Sequence, residues 1–185
     1  MVHALDPDRE GEILWQVRAG QGGILGGIEW GPAADGKNIY VAVSDVQRTD
    51  LPLPKEGQGS SKGSGGLLAL QLGDGKQIWR VEPPPCPENR KGCSPAHSAA
   101  VTVIPGVVFS GSLDGHLRAY STTDGRVIWD YDTVREFQAV NGVGGRGGAI
   151  NGPGSTVAGG MLFVNSGYGI FGQMPGNVLL AFGTE

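Results

Sequence analysis

One short phrase recurs along this chain and constrains its fold more than any other feature. In its clearest copy, Gly115 to Trp129, Leu117-Arg118-Ala119-Tyr120 alternates apolar and polar residues, Asp124-Gly125 signals a hairpin turn, and Val127-Ile128-Trp129 is β-branched and aromatic. The phrase returns as Leu67-Leu68-Ala69-Leu70, Asp74-Gly75, Gln77-Ile78-Trp79, and as His3-Ala4-Leu5, Gly11, Ile13-Leu14-Trp15. A truncated copy, Val178-Leu179-Leu180-Ala181-Phe182, closes the chain. Aligning Ala4, Ala69, Ala119 and Ala181 gives intervals of 65, 50 and 62 residues. Units of several short strands at such a period are the signature of stacked β-sheet blades.

The intervening stretches complete each unit. Residues 2–18 supply the last two strands of one blade. A blade over 31–82 begins with Gly31–Asp35 and Asn38–Asp45 and carries an insertion at 46–65. The next, over 98–132, contains Ser98–Ile104, Val107–Ser112, His116–Ser121 and Arg126–Tyr131. The last, 152–185, has Ser155–Ala158, Met161–Asn165 and Val178–Phe182 but no outer strand. The expected fold is an all-β β-propeller of four-stranded blades, about three of them, forming an incomplete ring in one domain. Composition agrees: 34 glycines and 12 prolines in 185 residues suit turns between short strands, and helical periodicity is lacking. Trp15, Trp79 and Trp129 occupy equivalent places and read as packing residues that cover gaps between blades.

Several functions fall away on composition. A net charge of −4 without a Lys/Arg cluster argues against nucleic acid, and no apolar run is long enough for a membrane span. The start, Met1-Val2-His3-Ala4, has neither the basic nor the apolar region of a signal peptide and enters a strand directly. It reads as a piece of a longer protein with its leader upstream. Arg48 and Lys55 in the insertion read as solvated.

In a four-stranded blade, the links from second to third strand and from outer strand to next inner strand share one face. That face collects Ala19–Trp30, Asp45–Gly66, Pro83–His97, Leu113–Asp114, Thr133–Asn151 and Gly167–Gly176. The glycine-rich connectors, both cysteines and most loop charges gather there.

The repeat resembles the pyrroloquinoline-quinone (PQQ) repeat, which builds propellers of quinoprotein dehydrogenases and also propellers that bind no quinone. Longer stretches are similar to the polyvinyl-alcohol dehydrogenase family: Trp15–Arg18 with Gly31–Gly36, Cys86–Ala100, Phe109–Tyr120, Trp129–Thr133 and Met174–Phe182. The resemblance implies a periplasmic PQQ- and Ca²⁺-dependent enzyme that oxidises secondary alcohols of a polymer and passes electrons to cytochrome c. It also implies about eight blades, of which these would be roughly the last three, with the amino-terminal blades as partner. An open arc leaves strand edges that a closed ring would cover.

A site for PQQ needs cations for carboxylates, an aromatic face for the rings, and oxygen donors for Ca²⁺. Arg135 and Arg146 are the candidate cations and Trp30, outside the repeat series, the candidate aromatic. Glu29 is the candidate catalytic base or Ca²⁺ ligand, with Asn141 and Asn165 as metal-binding amides. Each has a plainer reading: Arg135 in a surface pair with Asp132 or Glu136, and Asn165 as a strand end. Cys86, Cys93 and His97 fall short of a four-ligand zinc site, and no C-x-x-C-H haem motif is present. The favoured reading is a Cys86–Cys93 disulfide clamping the Pro-rich loop, in keeping with a periplasmic setting; reduced thiols would weigh against it. The rival function is a scaffold propeller that uses the repeat to bind protein, without a cofactor.

Overall fold

The computed structural model describes residues 1–23, 27–46, 65–169 and 172–184. Four antiparallel sheets follow one another along the chain. The first pairs β1 (Val2–Asp6) with β2 (Glu12–Val17) across a 3-10 turn at Pro7–Arg9. The second is ordered β3-β4-β5-β6, from β3 (Ala33–Ala34), β4 (Asn38–Val43), β5 (Gly66–Gln71) and β6 (Gln77–Val81). The third repeats that order with β7 (Thr102–Ile104), β8 (Val107–Gly111), β9 (His116–Ser121) and β10 (Val127–Asp132). A separate hairpin, β11 (Glu136–Gln138) with β12 (Gly144–Arg146), precedes the three-stranded sheet β13 (Ser155–Ala158), β14 (Met161–Ser166) and β15 (Val178–Gly183). The fold is an all-β arc of propeller blades.

Two expectations need correction. The connector 133–151 is not irregular throughout, because β11 and β12 pair there in register, Phe137 opposite Gly145. The inner strand of the third sheet starts at Thr102 rather than Ser98. Residues 98–101 instead bond across blades: Ala100 N donates to Gly152 O at 2.9 Å, Gly152 N to Ser98 O at 3.0 Å, and Val101 N to Gly31 O at 3.2 Å. The short inner strands β3, β7 and β13 lie side by side in sequence, so these bonds run along the inner edge of the arc. The expected insertion at 46–65, with Arg48 and Lys55, lies outside the described residues except at its ends.

The run Leu67-Leu68-Ala69-Leu70 is apolar without alternation because both faces of its sheet are buried. Leu68 and Leu70, with Val41 and Val43, pack toward the first sheet against Val2 and Ala19. Leu67 and Ala69, with Tyr40 and Ala42, pack toward the third sheet against Val108 and Tyr120. Third and fourth sheets close on Leu117, Ile150, Leu162 and Val164, with Phe109, Trp129 and Phe182 at the margin.

The repeat tryptophans lock neighbouring blades by one device. Trp15 Nε1 donates to Leu72 O at 2.8 Å, and Trp79 Nε1 donates to Thr122 O at 3.0 Å, each in the next blade's hairpin turn. Each indole lies on the glycine three residues later. A Cβ on Gly75 would come 2.6 Å from Trp15 Cε3, and one on Gly125 would come 2.7 Å from Trp79 Cε3. Both glycines also hold positive φ, +72° and +73°, where a side chain is strained. Trp129 ends its blade against Phe182 instead, with ring centroids 5.2 Å apart.

On the connector face a further apolar cluster joins Val46, Cys93, Ala96, Leu113, Ala149 and Met174, none of them in a strand. The loops of that face therefore have a small core of their own, which fixes the residues above it.

Candidate functional site

Three residues at equivalent places in three successive blades meet on the connector face. Glu29, Ser98 and Asn151 each stand four residues ahead of their blade's inner strand, which begins at Ala33, Thr102 and Ser155 respectively. Because the inner strands are adjacent, equal offsets bring the three side chains together. Ser98 Oγ lies 2.5 Å from Glu29 Oε2 and 2.8 Å from Asn151 Oδ1. A hydroxyl has one proton to give, and the charged carboxylate is the stronger acceptor, so it goes to Glu29. Ser98 is buried. The other carboxylate oxygen, Glu29 Oε1, is buried and has no hydrogen-bond partner among the described residues. A carboxylate oxygen held out of water without a partner is costly, and such an atom invites a ligand or a proton donor. Trp30, 47% exposed, borders the group, its ring 3.7 Å from where a Cβ on Gly152 would sit.

Beside Ser98, His97 is buried, its Nδ1 2.9 Å from Ser110 Oγ and its Nε2 without a partner among the described residues. Burial pushes its pKa down to about 4; Asp114 opposes that shift and Arg118 reinforces it. The ring is therefore neutral at pH 7. Next to it, the Arg118 guanidinium is almost fully buried and donates to Asp114 Oδ2 at 2.8 Å, Ser112 Oγ at 3.0 Å and Asp130 Oδ2 at 3.2 Å. Burial works to raise the Asp114 carboxyl, but the charge and hydrogen bond of Arg118, with Ser112 and His116 N, hold it below the usual range.

Cys86 and Cys93 are joined in a disulfide. The loop it closes is pinned to the blade by Arg90, which donates to Asp132 Oδ2 at 2.6 Å, Asp132 Oδ1 at 3.3 Å and Asp114 O at 3.2 Å.

Among the described residues, no hydrogen bond or ion pair joins the remaining sequence candidates to Glu29. Arg135 is stacked over Tyr131, 4.3 Å from the ring centroid, and engages neither Asp132 nor Glu136 in an ion pair. Arg146, on β12, lines a cleft with Arg90 and Lys91. Asn141 turns its Oδ1 back onto Val143 N at 3.1 Å within the hairpin loop. Asn165 is exposed on β14, opposite Leu179. The amide at Glu29 belongs to Asn151. Ser98 and Asn151 escaped the sequence reading because they are small polar residues in loops, and the signal that marks them is the common offset before each inner strand.

The residues at Glu29 suit a hard cation and a flat cofactor in part. A carboxylate and an amide oxygen are Ca²⁺-type donors, and Trp30 offers an exposed ring. Two donors are fewer than the roughly six to eight Ca²⁺ takes, so the rest would come from elsewhere. Among the described residues, no three His, Cys, Asp or Glu side chains gather as a metal cluster.

Four-stranded blades in an arc, with long connectors building one polar face, make this a β-propeller protein. A family model described as outer membrane protein assembly factor BamB, the PQQ repeat, matches residues 63–182, and the chain belongs to this PQQ-repeat family. The chain is 43% identical over 195 residues to a polyvinylalcohol dehydrogenase of a Pseudomonas species and 37% identical over 198 residues to one of Sphingopyxis sp. (strain 113P3). Both matches cover the whole chain, which spans 29% of either relative's length. The crystal structure of BamB from Moraxella catarrhalis shares the fold at 18% identity, with a TM-score of 0.56 over 89% of this chain and 40% of that one.

Proposed function

We propose that this chain forms part of the active-site face of a PQQ- and Ca²⁺-dependent dehydrogenase acting on secondary alcohols, including those of a polyvinyl-alcohol type polymer. The observation that carries the reading is the Glu29 carboxylate, with one oxygen fixed by Ser98, itself at Asn151, and the other buried without a partner among the described residues. Bound PQQ would supply a two-electron acceptor for the hydride of the alcohol carbon, with Ca²⁺ polarising its carbonyl. Glu29 takes the hydroxyl proton at Oε1, the oxygen that no donor among the described residues occupies. Ser98 fixes the carboxylate by its other oxygen, so that Oε1 keeps its direction when it gains the proton. Asn151 Oδ1 and Glu29 Oε2, which both lie at Ser98 Oγ, are the oxygens to hold Ca²⁺, and Trp30 is the wall for the quinone plane. Electrons pass on to cytochrome c, further blades complete the ring, and the Cys86–Cys93 disulfide fits an oxidising periplasm. No helix among the described residues is long and apolar enough to cross a membrane.

A scaffold propeller that only binds protein has no use for a half-partnered buried carboxylate at the inner edge of its blades. The test is to reconstitute the purified protein with PQQ and Ca²⁺ and to follow dye reduction by a secondary alcohol. Turnover that needs both additions and falls by about 10²-fold or more in Glu29→Gln supports the reading. Absence of quinone binding and of turnover in the complete protein would remove it.

A further inference from the structure

A second polar cleft lies on the connector face and shares no lining residue with the Glu29 centre. Its volume is about 530 Å³. Val134, Met174 and Pro175 supply its apolar surface, and Arg90, Lys91 and Arg146 its charge. Val134 and Met174 belong to the connector cluster, so this part of the cleft rests on packed residues. Arg90 is spoken for: its guanidinium is neutralised by Asp132 and tied to Asp114 O. Lys91 and Arg146 differ. Among the described residues neither side chain makes an ion pair or a hydrogen bond, although Glu136 stands opposite Arg146 across the hairpin. Two cations lining one cleft with no ion-pair partner among the described residues repel each other. An anion there removes that repulsion.

We propose that this cleft is a binding site for a small organic polycarboxylate. Arg146 presents a planar fork suited to a carboxylate, and Lys91 a point charge for a second. An apolar body between the two carboxylates would cover Met174 and Pro175. The same chemistry has two sources, a free polycarboxylate or the carboxylates of PQQ, and the test separates them.

Citrate and, in a parallel arm without Ca²⁺, PQQ are titrated calorimetrically into the purified protein at low salt. Citrate is expected to bind saturably, to weaken as salt is raised, and to lose at least tenfold in affinity in the paired variant Lys91→Gln with Arg146→Gln. The conservative Lys91→Arg should retain binding, and Glu29→Gln should leave it unchanged. If PQQ weakens in the paired variant as citrate does, the cleft holds quinone carboxylates; if PQQ is indifferent to it, the natural ligand is a separate polycarboxylate. Absence of saturable citrate binding would overturn the proposal. So would citrate affinity undiminished in the paired variant, or reduced equally by Glu29→Gln. Both substituted side chains are exposed, and an unchanged thermal midpoint confirms that the variant is folded.

Discussion

Trp79 lies flat enough on Gly125 that a methyl group at that glycine would come 2.7 Å from Cε3 of the indole, while the indole N–H reaches Thr122 O. Trp15 and Gly75 repeat the relationship one blade earlier. Blade stacking thus depends on an absent side chain as much as on a present one. Gly125→Ala should cost roughly 2–4 kcal/mol, combining overpacking with strain at positive φ. Gly106→Ala is the control: its φ is +83° but nothing lies within 4 Å, so only the strain of about 1 kcal/mol remains. Urea unfolding of the two variants side by side measures the difference.

Arg118 and Asp114 form a nearly dry ion pair, with side chains 3% and 6% exposed. Arg118→Met leaves a buried carboxylate without its cation and should cost about 3–5 kcal/mol. Adding Asp114→Leu should restore much of the loss. Failure of the double variant to recover would mean that Ser112 and Asp130 depend on the pair for more than charge.

His97 predicts a pH slope. Its folded pKa of about 4 lies below the ordinary value of 6.5, so between them the unfolded chain binds a proton that the fold refuses. Stability should therefore fall as pH drops from 6.5 to 4, by roughly 3 kcal/mol, and the His97 share should be complete below that. The depressed Asp114 carboxyl adds stability above the usual carboxylate range and loses it as pH falls through its lower folded pKa, a more acid window. Unfolding free energies across pH should show the first slope flattened in His97→Gln.

The Cys86–Cys93 bridge closes a short loop, with a sequence separation of 7, so its removal should cost only roughly 2–3 kcal/mol. Replacing both cysteines with alanine and comparing denaturation midpoints tests this. A much larger loss would show that the loop also holds the connector cluster together through Cys93 and Arg90.

How far these features can be read from sequence follows from their physical origin. The Trp79–Gly125 device is local in each copy and repeated, so spacing alone reveals the blades and their strands. The β11–β12 hairpin is different. Gly144 and Gly145 carry no β-propensity, and at Gly145 the missing side chain lets the backbone press against Val178, where a Cβ would come 2.6 Å from the side chain. Likewise Ser98 reads as the start of a strand, since nothing local announces that residues 98–101 bond to Gly31 and Gly152 of neighbouring blades. Glu29 stands out in a glycine-rich connector as a lone acid. Its partner Ser98 comes 69 residues further along, and Asn151, which meets Ser98, another 53 beyond; both become visible only once the inner strands are placed side by side.

The most direct test of the Glu29 centre is Ca²⁺-dependent retention of PQQ by equilibrium dialysis. At limiting Ca²⁺, Glu29→Gln and Asn151→Ala should each weaken retention at least tenfold, while Asn141→Ala and Asn165→Ala leave it unchanged. Retention that ignores Glu29 and Asn151, or that follows Asn165 instead, would contradict the account.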